Sequence, residues 1–186
     1  MAAVLTVANQ LTLLRMLLIP AFVILVVYGE LGWALFTFVL AGATDALDGL
    51  IARRAGQKTT LGAWLDPMAD KLLLLSAFVV LTMPGRGLVC RITVWLTVLI
   101  ISRDVTIVLT VLIVNLAVGR RTFAPTLLGK TATAVYILTC LVFLAVNYAG
   151  RPSPLTSGMV YLALTITIMS AVHYIRHAAR IVNAPS

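Results

Sequence analysis

Six long apolar runs, separated by short polar breaks, constrain the fold of this chain more than any other feature. They cover residues 11–28, 32–54, 61–82, 92–118, 126–148 and 155–176. Each run is close to the roughly 20 residues that an α-helix needs to cross a bilayer. The chain is 61% hydrophobic, which is more apolar than a soluble domain of this length can bury. We therefore predict an all-α, polytopic integral membrane protein with six transmembrane helices, forming a single domain over residues 1–186.

The breaks between the runs contain residues that end helices. They are Gly29-Glu30, Gly56 to Lys58, Pro84 to Gly87, Gly119 to Pro125 and Gly150 to Pro154. Because these connections are short, consecutive helices should be antiparallel neighbours. Residues 2–8 are expected to form a short helix at the membrane interface.

Acidic residues are rare in this chain and occupy costly positions. There are six, and five of them fall inside apolar runs: Asp45, Asp48, Asp66, Asp70 and Asp104. A carboxylate in a membrane-spanning segment is expensive, so it indicates a functional site by default. Asp45 and Asp48 are three residues apart, which places them on one helix face. The same holds for Asp66 and Asp70, four apart, so the hairpin between the second and third runs should bring four carboxylates together.

Four clustered carboxylates repel one another unless cations neutralise them. In the absence of nearby cysteine or histidine, carboxylate oxygens favour hard ions such as Mg²⁺, Mn²⁺ or Ca²⁺. Two such ions about 4 Å apart suit in-line attack at phosphorus. We therefore predict two divalent cations, Mg²⁺ or Mn²⁺, at this hairpin. The alternative is that the acids form salt bridges with Arg53, Arg54 and Lys71, but that accounts for one or two acids rather than four at this spacing.

The net charge of +8 would suggest nucleic-acid binding on a soluble protein. Here the basic residues cluster in the breaks, so the positive-inside rule explains them better, with membrane lipids and no nucleic acid as partners. One side carries Arg53, Arg54, Lys58, Arg120, Arg121, Lys130, Arg176 and Arg180, and the other carries Arg86, Arg91 and Arg151. This count predicts a protein of the cell (inner) membrane with both termini and the metal site on the cytoplasmic side.

Residues 45–70 read DALDGLIARRAGQKTTLGAWLDPMAD. They match the pattern D-x2-D-G-x2-A-R-x8-G-x3-D-x3-D at every fixed position, and this pattern resembles the signature of the CDP-alcohol phosphotransferases. The layout of six runs is also similar to that family, as is the segment from Asn9 to Thr12 with Arg15.

The resemblance implies a reaction in which an alcohol hydroxyl attacks the β-phosphorus of a CDP-linked lipid, CDP-diacylglycerol, and CMP leaves. It also implies a homodimer and assigns roles to single residues. Asp45, Asp48 and Asp66 would hold the two metal ions, with Asp70 beside them as general base and further metal ligand. The cytidine nucleotide pocket would be lined by Gly49, Ala52, Arg53 and Gly62.

Three basic residues within the runs are candidates for the acceptor site. Arg15, Arg103 and Lys130 could ring the metal site and hold a lipid or polyol-phosphate acceptor. The alternative is that Arg103 pairs with Asp104 or another aspartate while Arg15 and Lys130 snorkel to the interface. Residues 101–105 resemble the corresponding span of cardiolipin synthases, which favours phosphatidylglycerol as acceptor and glycerol 3-phosphate next. A phosphatidylinositol-phosphate-type synthase remains an alternative.

Two other classes compete with this interpretation. Intramembrane prenyltransferases also use aspartate-rich motifs and Mg²⁺, but they need more than six spans and have different spacings. A cation channel or transporter would place acids along a path or in a ring, whereas here four of them are confined to one hairpin.

Overall fold

The computed structural model describes residues 7–55, 60–84, 87–117 and 126–182, and this part of the chain contains six α-helices. They are α1 (Val7–Val27), α2 (Leu31–Ala55), α3 (Thr60–Thr82), α4 (Val94–Ala117), α5 (Leu127–Ala149) and α6 (Pro154–Val182). The predicted all-α class is confirmed, and most helix ends lie within two residues of the predicted runs. Helix α1 begins earlier and α6 ends later than the apolar runs, because each helix continues through flanking polar residues, Asn9 and Gln10 in α1 and His177 and Arg180 in α6. Most of the predicted interfacial helix at 2–8 lies outside the described residues.

Three helices within the described residues are long and apolar enough to cross a membrane. These candidate spans are Gln10–Val27, Leu127–Ala149 and Pro154–Arg176. Within the described side chains, α2 and α3 contribute the apolar stretches Leu31–Thr44 and Lys71–Thr82.

The chain divides into two compact units. The first comprises Met1–Arg91 with Cys140–Pro152, and the second comprises Ile92–Thr139 with Ser153–Ser186. Within the first unit, α1 packs against both α2 and α3. Within the second, α4 packs against α6.

The turn between α1 and α2 fixes these two helices as an antiparallel pair. Gly29 has a φ of +81°, a conformation that favours glycine. Its N–H donates to the Val26 carbonyl at 3.1 Å, and the Glu30 N–H donates to the Leu25 carbonyl at 2.9 Å. These two bonds form a Schellman motif, which ends α1 and lets α2 begin at once. The rings of Phe22 and Phe38 then meet across the pair, with their centroids 5.5 Å apart.

Asn147, near the end of α5, holds the loop residue Cys90 in place within the first unit. Its Oδ1 accepts a hydrogen bond from the Cys90 N–H at 2.9 Å, and its Nδ2 donates to the Cys90 carbonyl at 2.8 Å and to the Phe143 carbonyl at 2.7 Å. One buried amide thus satisfies both backbone polar groups of a loop residue, as a neighbouring β-strand would.

Replacing Asn147 by leucine should lower the stability of the protein. It leaves the partly buried Cys90 N–H and carbonyl without this partner, so the loss should lie near the lower end of the about 1–3 kcal/mol that a fully buried unsatisfied group costs. The matched control is Thr165→Val, because the exposed Thr165 hydroxyl donates only to the Tyr161 carbonyl of its own helix, at 2.8 Å. Apparent melting temperatures in detergent test this. Equal values for the two variants would contradict a structural role for Asn147.

Candidate active site

The segment that carries the predicted metal ligands is helical on both sides of its connection. Asp45 and Asp48 lie in the last three turns of α2, and Asp66 and Asp70 lie in the first three turns of α3. The spacings of three and four residues are therefore spacings along a helix, as predicted. The side chains of residues 45–70 lie outside the described part of the structure, as does the backbone of 56–59. The predicted nucleotide residues also belong to these helices, Gly49, Ala52 and Arg53 to α2 and Gly62 to α3.

The described parts of α2 and α3 show which faces continue into the aspartate positions. Buried residues on α2 recur every three or four positions, at Ala34, Thr37, Phe38, Ala41 and Thr44. Steps of four residues from Ala41 and Thr44 lead to positions 45 and 48. On α3 the buried residues include Leu73, Ala77 and Leu81, and steps of three and four residues backwards reach 70 and 66. The four aspartate positions thus follow from these buried positions by helical steps of three and four residues, on two helices that both pack against α1.

Helix α1 presents a buried stripe that includes two polar residues. The stripe consists of Thr12, Arg15, Ile19, Phe22 and Val26. Arg15 has a relative exposure of 0%, so it does not snorkel to the membrane interface. Thr12 and Arg15 each make polar or electrostatic contacts.

In the second unit, Arg103 is the centre of a polar network. Its side chain is 10% exposed and forms an ion pair with Asp104, with Nη1 and Oδ1 2.6 Å apart. Its Nη2 donates a hydrogen bond to the Ser170 hydroxyl on α6. The pairing with Asp104 is the alternative raised by the sequence. The Arg103 Nε is buried and has no hydrogen-bond partner among the described residues.

The first turn of α5 borders the same guanidinium. A Cβ placed at Gly129 would lie 3.9 Å from the Arg103 Nη2 and 3.2 Å from the Thr126 hydroxyl. A side chain at Gly129 would therefore contact Arg103 and crowd the Thr126 hydroxyl, so glycine permits the close approach of this turn. Lys130, the next residue, is exposed. Its α-helical position puts its side chain on a different side of α5 from Gly129, about 100° away.

Hydroxyl groups on α6 and its neighbours form two further contacts in this unit. The Tyr136 hydroxyl lies 2.8 Å from the Thr167 hydroxyl, and the Tyr174 hydroxyl donates to the Ile107 carbonyl at 3.2 Å. Thr167, Ser170 and Tyr174 are buried on one face of α6. They could not be identified from the sequence, because a single serine, threonine or tyrosine in an apolar run has no distinguishing pattern.

The chemistry of the donor set at the hairpin fits hard divalent cations. All four candidate ligands are carboxylates, and oxygen ligands are those that Mg²⁺ and Mn²⁺ prefer. Among the described side chains, which exclude this hairpin, no group of three or more histidine, cysteine or acidic residues is arranged to hold a metal ion. Residues 45–70 are therefore the best candidate metal site of the chain.

These features define a class of helical membrane protein with a candidate metal site. The chain is a helical protein with membrane-spanning segments, in which an aspartate-bearing helix pair packs on a helix with a buried arginine. The sequence profile of the family described as CDP-alcohol phosphatidyltransferase matches residues 5–172. The chain belongs to this family of membrane enzymes, which transfer phosphatidyl groups in phospholipid biosynthesis.

Individual relatives agree with the family assignment. The chain is 34% identical to a probable phosphatidylglycerophosphate synthase of Mycobacterium tuberculosis (strain ATCC 25618 / H37Rv), over 96% of this chain and 84% of the relative. It is 33% identical to the CDP-diacylglycerol–glycerol-3-phosphate 3-phosphatidyltransferase of Sodalis glossinidius, over 95% and 96%. It is 36% identical to the cardiolipin synthase (CMP-forming) of Homo sapiens, over 77% of this chain and 52% of the relative. Membership in an enzyme family removes the channel or transporter as an explanation for the aspartates.

Proposed function

We propose that this enzyme transfers a phosphatidyl group from CDP-diacylglycerol to the hydroxyl of a glycerol-type acceptor and releases CMP. The observation that carries this proposal is the complete aspartate pattern on α2 and α3, two helices that both pack against α1. The favoured acceptor is phosphatidylglycerol, which gives cardiolipin. Glycerol 3-phosphate is the second candidate, because it is named in the Sodalis relative and because a phosphatidylglycerophosphate synthase aligns along almost the whole chain.

Asp45, Asp48 and Asp66, with Asp70 beside them, would hold two divalent cations, Mg²⁺ or Mn²⁺. When bound, such ions supply positive charge to the diphosphate and polarise its P–O bonds. Among the neighbouring positions, Gly49 and Gly62 carry no side chain, which permits close approach of the nucleotide. Arg53 supplies a fixed positive charge for its phosphate.

The transfer itself exchanges one P–O bond for another. The acceptor hydroxyl oxygen forms a bond to the β-phosphorus of CDP-diacylglycerol, and the bond from that phosphorus to the bridging oxygen breaks. CMP leaves with that oxygen and the bonding electron pair. Asp70 takes the hydroxyl proton as general base, a role that requires its carboxylate to be within hydrogen-bond reach of the hydroxyl.

Arg103 and Lys130 are proposed to hold the phosphate of the acceptor. A guanidinium has five N–H donors, and the contacts of Arg103 use one for Asp104 and one for Ser170. Its remaining donors include the buried Nε, and charge-assisted hydrogen bonds to a phosphate oxygen would use them. Either candidate acceptor carries such a phosphate, so this contact does not choose between them.

The proposal includes six membrane spans, a homodimer, and a cytoplasmic metal site in the cell (inner) membrane. The count of basic residues supports the orientation. A cysteine introduced at Gln57 should accordingly be protected from a membrane-impermeant thiol reagent in intact cells and become reactive after permeabilisation. A cysteine at Arg151, in the break before α6, serves as the opposite control. Efficient labelling at position 57 in intact cells would show that the orientation is inverted.

An acceptor screen tests the proposed reaction. Purified protein is incubated with CDP-diacylglycerol, Mn²⁺ or Mg²⁺, and one acceptor at a time: phosphatidylglycerol, glycerol 3-phosphate or inositol phosphate. We expect CMP release to be fastest with phosphatidylglycerol and cardiolipin to be the lipid product. Fastest release with glycerol 3-phosphate would favour the second candidate, and with inositol phosphate it would overturn the glycerol-type acceptor.

A further inference from the structure

Arg15 is a charged residue in the buried interface of α1, where an unpaired charge is energetically costly. It is fully buried in a mostly apolar helix in which it is the only charged residue, on the stripe by which α1 packs against α2 and α3. Burying a guanidinium without an anionic or strongly polar partner costs several kcal/mol. Arg15 does have partners, so its surroundings must supply compensating groups.

The level of Arg15 along the helix pair follows from the α1–α2 contacts. The helices are antiparallel, and the rings of Phe22 and Phe38 meet across them. Both helices rise about 1.5 Å per residue. The residue seven positions before Phe22 therefore lies at the same level along the pair as the residue seven positions after Phe38. Arg15 is therefore level with position 45, and Thr12 with position 48. The buried pair Ile19 and Ala41 follows the same register.

The acids available at this level are few. In the first unit, α1 has no acidic residue, and Glu30 lies 15 residues beyond Arg15 along the chain. That separation corresponds to about 20 Å along the helix axis. The remaining acids of the unit are Asp45, Asp48, Asp66 and Asp70, on the two helices that contact α1.

We propose that Arg15 is the counter-ion of the aspartate cluster and a positioning residue for the metal site. Its guanidinium offsets part of the repulsion among four carboxylates before metal binds, and so holds α2 and α3 against α1 in the metal-free protein. This assignment differs from the acceptor-binding role that the sequence suggested, and it rests on the proposed metal site. It also predicts a cost, because a fixed cation beside the carboxylates opposes divalent ions and weakens their binding.

The test compares Arg15→Gln with wild-type protein, both purified in detergent and stripped of metal with EDTA. Without metal, we expect the variant to melt at a lower temperature. Adding Mn²⁺ should then raise its apparent melting temperature by roughly twice the wild-type rise, because metal replaces the missing counter-ion. Mn²⁺ affinity, measured by electron paramagnetic resonance, should increase by about tenfold in the variant.

Two further variants separate a counter-ion from a packing residue. Arg15→Gln combined with Asp45→Asn removes one charge of each sign, and it should recover at least part of the metal-free stability lost in Arg15→Gln. Arg103→Gln is the matched control, because it removes an almost equally buried guanidinium from the second unit. Its loss of stability should be the same with and without Mn²⁺.

The outcomes distinguish this inference from the proposed function. An equal Mn²⁺-induced rise in wild type and Arg15→Gln, with unchanged Mn²⁺ affinity, would overturn the counter-ion role and leave the metal site standing. An increased acceptor KM as the sole effect of Arg15→Gln would assign Arg15 to the acceptor instead. Absence of any Mn²⁺ effect on the wild-type protein would overturn the metal site and the inference together.

Discussion

Replacing Asp48 by asparagine should abolish turnover in a protein that still folds. The substitution keeps the size of the side chain but removes the negative charge and one of the two oxygens that a divalent ion can bind. Losing a ligand that stabilises charge at the reacting phosphate costs several kcal/mol, which corresponds to roughly a thousandfold in rate. Removing one charge from four repelling carboxylates should not destabilise the metal-free fold. The measurements are CMP release at saturating Mn²⁺ and the apparent melting temperature in EDTA.

The matched control for this substitution is Glu30→Gln. Glu30 is an exposed acid in the turn between α1 and α2, at the end of α2 opposite to the aspartates, and its replacement should leave turnover near the wild-type value. Wild-type-like activity of folded Asp48→Asn in Mg²⁺ would show that Asp48 is not a metal ligand.

A comparison of Asp66→Asn with Asp70→Asn should separate a metal ligand from a general base. Asp66→Asn is expected to weaken metal binding and, through it, the affinity for CDP-diacylglycerol, so excess Mn²⁺ should partly restore its activity. Asp70→Asn should lose about 10²–10⁴-fold in kcat because the acceptor hydroxyl is no longer deprotonated. Its affinity for CDP-diacylglycerol should remain close to wild type, and added Mn²⁺ should not restore its rate.

The measurement is kcat and CDP-diacylglycerol affinity for both variants across a Mn²⁺ titration. If excess Mn²⁺ restores Asp70→Asn, or if the affinity of this variant for CDP-diacylglycerol collapses, Asp70 is a metal ligand. The proton of the acceptor hydroxyl must then leave by another route.

The sequence predicted the helices well because helix formation here depends on local patterns. Long apolar runs and their glycine breaks define helices without knowledge of tertiary contacts, and the turn at Gly29 needs its positive φ whatever packs around it. The helical spacing of the aspartates could be predicted in the same way, because three and four residues are steps along one helix face, while their role as metal ligands stays a prediction.

Tertiary partners could not be predicted in the same way. Arg15 and Arg103 are each the single cation of an apolar run, and the sequence offers an adjacent partner, Asp104, for Arg103 alone. The structure shows the first fully buried on the stripe facing α2 and α3, and the second held by Asp104 and by Ser170, 67 residues further along the chain. Asn147 is a similar case, since its partner Cys90 is 57 residues away. No spacing rule connects such pairs, because they depend on which helix faces meet.

The central claim is that this chain performs metal-dependent phosphatidyl transfer with a glycerol-type acceptor. The most direct test measures CMP and the new phospholipid together, from CDP-diacylglycerol and phosphatidylglycerol, with the purified protein in Mn²⁺ and in EDTA. We expect equal molar amounts of CMP and cardiolipin in Mn²⁺, and neither product in EDTA or when the acceptor is omitted. Undiminished product formation in EDTA, or CMP release without any phosphatidyl product under all acceptors, would contradict it.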